Sequence, residues 1–321
     1  MSPKQQLIHF LGQQPHEVFK LSGRIDSRRY LPRTFPSELP LILSLQQYPG
    51  YQRMVGENWL HWHDYFEFFV ALSGNGHFRS GHDLFHFHPG DIVVVDPLKI
   101  HGVWEMDAKH TALVVLFPRH LVASDTSGTS LDEAYLAPWE QRSGGRLPLI
   151  QHDDPAAANV HSALLAFAQT WFNPSPASDR SLQLKLELLT VLFHLRQAFP
   201  LEPSSSVPTA DRALQTERLR RALDYLSQHA HEPLTQFDVA KAVGMSTSRF
   251  RAFFKATTGW GFAQFVREQR VERAAKLLRE SSDSVATIAH LTGFADQSHL
   301  LRCFKAKHEV SPLTYRHRHQ G

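Results

Sequence analysis

The hydrophobic pattern changes period part-way along the chain. Between about residues 39 and 122, short apolar runs (Leu41–Leu45, Tyr65–Leu72, Asp91–Val95, Thr111–Phe117) alternate with turn-forming stretches such as Ser73-Gly74-Asn75-Gly76 and Pro89-Gly90-Asp91. Many short runs with that punctuation predict the strands of a small antiparallel barrel or sandwich. Residues 1–36 are mixed and polar and read as an arm or peripheral structure, and 123–151 are loop-rich. A helical period then takes over. Val160, Leu164, Phe167 and Trp171 mark one helix across 156–172; after Asn173-Pro174-Ser175-Pro176, Leu182, Leu186, Leu189 and Phe193 mark another across 179–199. The apolar stripe of this pair faces either the barrel or a second subunit. Residues 200–211, rich in Pro and Ser, read as a linker, and everything beyond reads as helix. The predicted fold is α+β: an antiparallel β-barrel domain with its arm over 1–151, a helical pair over 152–199, a linker over 200–211 and an all-α domain over 212–321.

The all-α region contains a duplication. Ala240 and Gly244 correspond to Ala289 and Gly293; Ser248, Phe250 and Phe254-Lys255-Ala256 correspond to Ser298, Leu300 and Phe304-Lys305-Ala306; Phe265 corresponds to Tyr315. Two related units about 50 residues apart indicate an internal repeat. Each has the parts of a helix-turn-helix. A small Ala allows close helix crossing, and a Gly at the turn accepts left-handed backbone. Ser246 and Asp296 are good N-caps for the following helix, the one that enters a major groove in such motifs. Helical geometry buries Phe250, Phe253 and Phe254 in the first unit and Leu300, Cys303 and Phe304 in the second. It turns outward Ser248, Arg251, Ala252 and Lys255, and likewise Gln297, Ser298, Leu301, Arg302 and Lys305. Arg and Gln suit guanine and adenine edges, and Lys suits phosphate. Val271, Ala274, Ala275 and Leu278 mark a long helix connecting the units.

The segment RVERAAKLLRESSDSVATIAHLTGFADQSHLLRCFKAKHEVSPLTYRHRH resembles the C-terminal signature of the AraC/XylS family of transcription regulators, and LTQFDVAKAVGMSTSRFRAFFKATTGWGFAQFVREQR resembles the first half of that domain. The resemblance covers roughly 215–318. It implies two recognition helices in successive major grooves, with base-contacting faces at Ser248, Arg251 and Ala252 and at Gln297, Ser298, Leu301 and Arg302. Two departures matter. Ala252 and Leu301 donate no hydrogen bond, so sequence preference rests on Arg251, Gln297 and Arg302. Glu309-Val310 stands where Phe-Gly is usual.

Charge agrees with a polyanion partner for this region alone. Residues 212–321 carry 18 Lys+Arg against 10 Asp+Glu, whereas 1–211 carry 16 against 21. The single cysteine, Cys303, excludes an intramolecular disulfide framework and a Cys-based zinc cluster. No apolar run reaches the ~20 residues of a membrane span, and the N-terminus lacks secretory features. A cytoplasmic protein without a membrane partner is expected.

In the barrel region His61-Trp62-His63-Asp64-Tyr65-Phe66-Glu67 runs into a strand, whose alternation would set His61, His63 and Glu67 on one face. With Gly90-Asp91, Pro97 and His101, this is similar to the two motifs of the cupin barrels. In metal-binding cupins the positions of His61, His63, Glu67 and His101 hold a metal, and three imidazoles with a carboxylate suit iron, manganese, nickel or zinc. AraC-type regulators commonly use such a barrel to bind an effector without metal. The reading adopted is therefore an effector pocket of His61, His63, Tyr65, Glu67, His101 and Trp104 with no cofactor; the metal site stays open. Trp59, Trp62 and Phe69 are further aromatic candidates. Among effectors the resemblance favours a carbohydrate, whose rings stack on aromatic faces. A second pair, His86 and His88, has the same spacing in a chain of 21 histidines.

These observations predict a non-enzymatic regulator, more commonly an activator in this family. Its partners are double-stranded DNA, a small-molecule effector, a second copy of the chain and, for an activator, RNA polymerase. Two alternatives remain: a metal-dependent cupin enzyme or metal sensor fused to a DNA-binding domain, and a constitutive architectural DNA binder whose barrel only dimerises.

Overall fold

The computed structural model describes residues 1–18, 30–48, 60–81, 83–95, 97–106, 110–123, 131–140, 147–173, 179–199, 209–229, 232 and 234–320. They form two compact units that divide between Ala213 and Leu214.

The N-terminal unit begins with α1 (Pro3–Gly12), where the sequence predicted an arm. A capping box between Ser2 and Gln5 starts this helix, and Leu7 and Leu11, one turn apart, bury its inner face. The strands that follow are β1 (Glu17–Val18), β2 (Ile42–Tyr48), β3 (Phe66–Ser73), β4 (Gly76–Ser80), β5 (Asp83–Phe87), β6 (Ile92–Val95), β7 (His101–Met106), β8 (His110–Phe117) and β9 (Leu149–Ile150). They pair into a six-stranded sheet in the order β1-β2-β8-β3-β6-β9 and a three-stranded sheet in the order β5-β4-β7. The pairing is antiparallel except between β1 and β2.

Strand alternation divides the core into two layers. Phe66, Phe68, Val70 and Leu72 of β3 face one side of the large sheet with Ile92, Val94, Leu113, Val115 and Phe117. Phe69 and Ala71 face the other with Val93, Val95, Ala112 and Val114, and there they meet Phe78, Phe85, Phe87 and Val103 of the small sheet. Central strands buried on both faces explain why the sequence shows continuous apolar runs here rather than alternation.

The first layer is closed by α1, α3 (Pro155–Phe172) and α4 (Arg180–Ala198); the short α2 spans Ala137–Glu140. Asp154 caps α3. Thr170 bonds to both Gln183 and Glu187, so α3 and α4 form an antiparallel hairpin. The stripe of α4 on the core is Leu184, Leu188, Val191, Leu192 and Leu195. Leu182, Leu186 and Phe193, which mark this helix in the sequence, are instead 60%, 57% and 46% exposed.

The C-terminal unit is all helix: α5 (Thr209–His229), α6 (Gln236–Ala242), α7 (Thr247–Thr258), α8 (Phe262–Glu280), α9 (Val285–Leu291), α10 (Gln297–His308) and α11 (Pro312–Gln320). Composition places 209–211 in the linker, yet they begin α5, immediately after Pro208, which favours a helix start. Residues 200–208 lie outside the described residues. The repeat seen in the sequence is a structural repeat. α6 and α7 join at Gly244 (φ +67°), and α9 and α10 join at Gly293 (φ +79°). Ser246 Oγ accepts from the Arg249 N–H and an Asp296 carboxylate oxygen from the His299 N–H, so both second helices are capped as expected. α8 serves both halves. Phe265 packs edge-on against Phe254, while Val271, Ala274, Ala275 and Leu278 pack with Ile288, Leu300 and Phe304.

Candidate nucleic-acid interface and effector pocket

On α7, Ser248, Arg251, Ala252 and Lys255 are all exposed, while Phe250 and Phe254 are buried. On α10, Gln297, Ser298, Arg302 and Lys305 are exposed, Leu301 is half-buried, and Leu300 and Phe304 are buried. Phe253 and Cys303, expected inside, are only partly covered. Among the described residues no hydrogen bond or ion pair engages the guanidinium of Arg251 or Arg302, so neither is held as a structural salt bridge. Burial pushes the Cys303 thiol up, the opposite of an activated thiolate.

Two residues beyond Lys305, Lys307 behaves differently. Its side chain is 6% exposed, and its Nζ lies 3.0 Å from Glu268 Oε2 and 2.8 Å from Glu272 Oε1. Both carboxylates belong to α8, so this triad binds α10 to α8. The helix ends also differ between the repeats. Gly259 closes α7 in the left-handed region (φ 76°), and at the equivalent place Glu309 adopts φ 58°, a conformation costly for a residue with a Cβ.

In the N-terminal unit, the ligand atoms of His61, His63, Glu67 and His101 all lie within 4.8 Å of one another, and all four residues are buried. Strand alternation is not what brings them together. β3 starts only at Phe66, and the chain bends at Asp64 and Tyr65 between the histidines and Glu67. His61 is tied to His101 by reciprocal backbone bonds of 3.0 and 2.8 Å. The proton positions then follow from the hydrogen bonds. His63 Nδ1 is 3.0 Å from the Tyr65 carbonyl and His101 Nδ1 is 2.8 Å from the Lys99 carbonyl. A carbonyl only accepts, so Nδ1 carries the hydrogen in both rings. Burial pushes the His63 pKa down to about 3 and that of His101 well below the usual histidine range, the latter aided by His61 and His63. Both rings are neutral near pH 7, and both turn a bare Nε2 inward. His63 Nε2 meets Glu67 Oε2 at 2.9 Å; His101 Nε2 is buried without a hydrogen-bond partner, 4.0 Å from the same oxygen.

A cavity of about 480 Å³, open solvent included, lies beside this cluster. It is lined by His61, Tyr65, Glu67, Phe69 and His101 among the expected residues, and by Arg33, Gln46 and Tyr48, which sequence reasoning missed. The Tyr48 hydroxyl donates to Gln46 Oε1 at 2.8 Å. An inward polar residue on β2 beside inward apolar neighbours was the available signal for Gln46; no pattern pointed to Arg33. His63 is sealed behind the cavity, its ring stacked 3.8 Å from that of Tyr65. Trp104 is a correction: it is absent from the cavity lining, because the alternation of β7 turns it away and its ring lies under the Arg79 guanidinium at 4.9 Å. Trp62 is buried, and Trp59 lies outside the described residues.

Comparison with known proteins addresses the helical repeat first. A family model for a helix-turn-helix domain matches residues 239–318. The multiple antibiotic resistance protein MarA of Salmonella typhimurium is 31% identical over 94 residues, which cover 29% of this chain and 74% of MarA. A putative AraC-like transcription regulator of Streptomyces lividans is 32% identical over 177 residues, 53% of this chain and 57% of that protein. The chain belongs to the AraC family. As an AraC-family protein it is a DNA-binding transcription regulator. The likeness extends beyond the repeat at lower identity: YdeC of Bacillus subtilis, an uncharacterized helix-turn-helix regulator, is 22% identical over 80% of this chain and 85% of its own length. Among the described residues no helix of this AraC-family regulator is long and apolar enough to cross a membrane.

Proposed function

We propose that this regulator binds operator DNA as a homodimer through α7 and α10 and responds to a ligand held in the N-terminal pocket, acting as an activator that engages RNA polymerase. The observation that carries the DNA reading is the pair of exposed faces. Ser248, Ala252 and Lys255 on one helix stand at the places of Ser298, Arg302 and Lys305 on the other, with Arg251 and Gln297 exposed beside them, each set over a buried aromatic or aliphatic stripe. Leu301, half-buried, offers only methyl contact to thymine. Sequencing the DNA captured by purified protein identifies the operator. Arg302→Ala is then expected to cost about 1–3 kcal/mol and to relax preference at one base pair; unchanged affinity and unchanged preference would remove its assigned role.

The dimer reading rests on α4, whose second apolar stripe of Leu182, Leu186 and Phe193 is exposed among the described residues. For the effector, sequence resemblance favours a carbohydrate, whereas the buried cluster of three histidines and Glu67 favours a divalent metal ion. The bare nitrogen of His63 and a carboxylate oxygen approach to 2.9 Å, and two acceptors at that distance need a proton or a cation between them. A second bare nitrogen, on His101, also lacks a partner. Nδ1–H bonds to carbonyls that fix the ring and expose Nε2 are the usual support of metal-ligating histidines. In this reading His61, His63, Glu67 and His101 hold the metal, and Arg33, Gln46 and Tyr48, which line the same cavity, receive a small polar molecule. Elemental analysis of the purified protein, with DNA capture repeated after chelation, tests it. Protein free of metal that binds and releases DNA normally in response to a metabolite would leave the shared proton as the explanation.

A further inference from the structure

A second convergence of metal-binding groups lies away from the pocket. Asp91 stands at the end of the turn between β5 and β6, His88 begins that turn, and His152 comes from the segment between β9 and α3. Asp91 Oδ1 is 2.8 Å from His152 Nδ1, and Asp91 Oδ2 is 3.5 Å from His88 Nδ1. The three ligand atoms lie within 4.8 Å of one another.

The charge of Asp91 is the telling feature. Its side chain is 1% exposed, and its oxygens accept the backbone N–H groups of His88 at 2.8 Å and His152 at 2.7 Å. Among the described residues no lysine or arginine comes within ion-pairing distance of it, although the Lys4 side chain passes beside Gly90; the groups in contact with its carboxylate are the imidazoles. A buried carboxylate is normally paired with a cation or bound to a metal. The two imidazoles are accessible, with side chains 46% and 31% exposed, so an ion can reach the site and keep water in its remaining positions. Two of the three spacings already fall within about 4.2 Å, twice a metal–imidazole or metal–carboxylate bond. Small rotations of exposed rings close the third.

We propose that His88, Asp91 and His152 form a metal site for a borderline divalent cation such as Zn²⁺, separate from the central pocket. Two histidines and one carboxylate with open positions are a recognised donor set for first-row metals, and imidazole favours the borderline ions over Mg²⁺ or Ca²⁺. His86 Nδ1 is 3.1 Å from His88 Nε2 and orients that ring from behind. The site spans a seam. The adjoining turn residue Gly90 accepts a bond from His161 Nε2 of α3 at 2.7 Å, and a Cβ at Gly90 would collide with His152 and with the Lys4 side chain. Metal bound here staples the β5–β6 turn to the chain entering α3, and it does so whether or not the central cluster is occupied.

The test uses full-length protein carrying His101→Ala to disable the central cluster. After chelation and equilibrium dialysis against Zn²⁺, this background is expected to retain one zinc equivalent and to gain thermal stability from it. Adding His152→Gln, or separately His88→Gln, is expected to remove both the equivalent and the stability gain; Gln keeps a hydrogen-bonding side chain in place of each ring. Adding His194→Gln, on α4, is expected to remove neither. Zinc uptake by the background no greater than that of the seam variants, or uptake reduced equally by His194→Gln, would overturn the proposal in favour of dispersed binding by surface histidines.

Discussion

Lys305 and Lys307 sit two residues apart on α10, and the structure gives them opposite roles. Lys307 is almost fully buried between two carboxylates of α8, one of them 12% and the other 31% exposed. Truncating it as Lys307→Met removes the nearer cation from Glu268, which lies in a poorly solvated place and keeps Arg267 Nε at 3.7 Å. Breaking a buried pair costs about 3–5 kcal/mol, and the remaining Arg267 contact with the partial exposure of Glu272 puts the expectation at the lower figure, about 3 kcal/mol. With an m value of about 1.5 kcal/mol per molar urea, the unfolding midpoint of the C-terminal unit should fall by about 2 M. Lys307→Met/Glu268→Gln should regain part of the loss, because the under-compensated charge goes with its nearer partner. DNA binding supplies the contrast. Lys305→Ala should leave the urea midpoint alone and flatten the slope of log affinity against log salt by about 0.9, the counterions of one phosphate. Lys307→Met, assayed where the fold is intact, should leave that slope unchanged. A stability loss below about 1 kcal/mol for Lys307→Met, typical of a surface pair, or a salt slope altered by it, would refute the assignment.

Other outcomes follow from single features. Glu309→Gly should stabilise the C-terminal unit by about 1 kcal/mol in the same urea assay, since it relieves left-handed backbone that Gly259 already occupies in the first repeat. Leu186→Glu should shift the sedimenting species from dimer to monomer without unfolding the chain, because that side chain is already 57% exposed within one copy; an unchanged dimer would place the interface elsewhere. Burial holds the His110 pKa at about 4 against 6.5 unfolded. The unfolded chain therefore binds more protons between those values, and stability should fall as pH drops through that window, by about 2 kcal/mol at pH 5. His110→Phe should flatten this part of the stability–pH profile of the N-terminal unit, and a profile identical to wild type would show that His110 is not its source.

The helical repeat was legible because every part of it is local. Caps at Ser246 and Asp296, glycines at the turns and a buried face at three- and four-residue spacing can all be read without knowing what packs against what. The pocket was legible only in part. His61, His63, Glu67 and His101 were found through the resemblance to the cupin motifs, but the geometry joining them comes from a bend at Asp64-Tyr65 and a backbone bridge between distant segments. Arg33 reaches the pocket from a stretch with no regular structure, so no period announces it. Trp104 was misplaced because aromatic character does not reveal which face of β7 a residue takes. α1 carried a readable Ser-x-x-Gln start, yet two buried leucines among polar residues made too weak a pattern over ten residues. On α4 the sequence offered two apolar stripes, and only the tertiary packing decided which of them the sheet covers.

The shared helix α8 also constrains any gene this protein controls. Its buried side chains are divided between the two repeats, so neither recognition module can turn about it without opening a core. The domain thus acts as a fixed-length gauge. Each base pair inserted between the two halves of its target rotates one half by about 35° relative to the other, a turn that the packing of both halves on α8 opposes. Mutations that change letters in such a promoter can be tolerated in graded fashion, whereas those that change its length cannot.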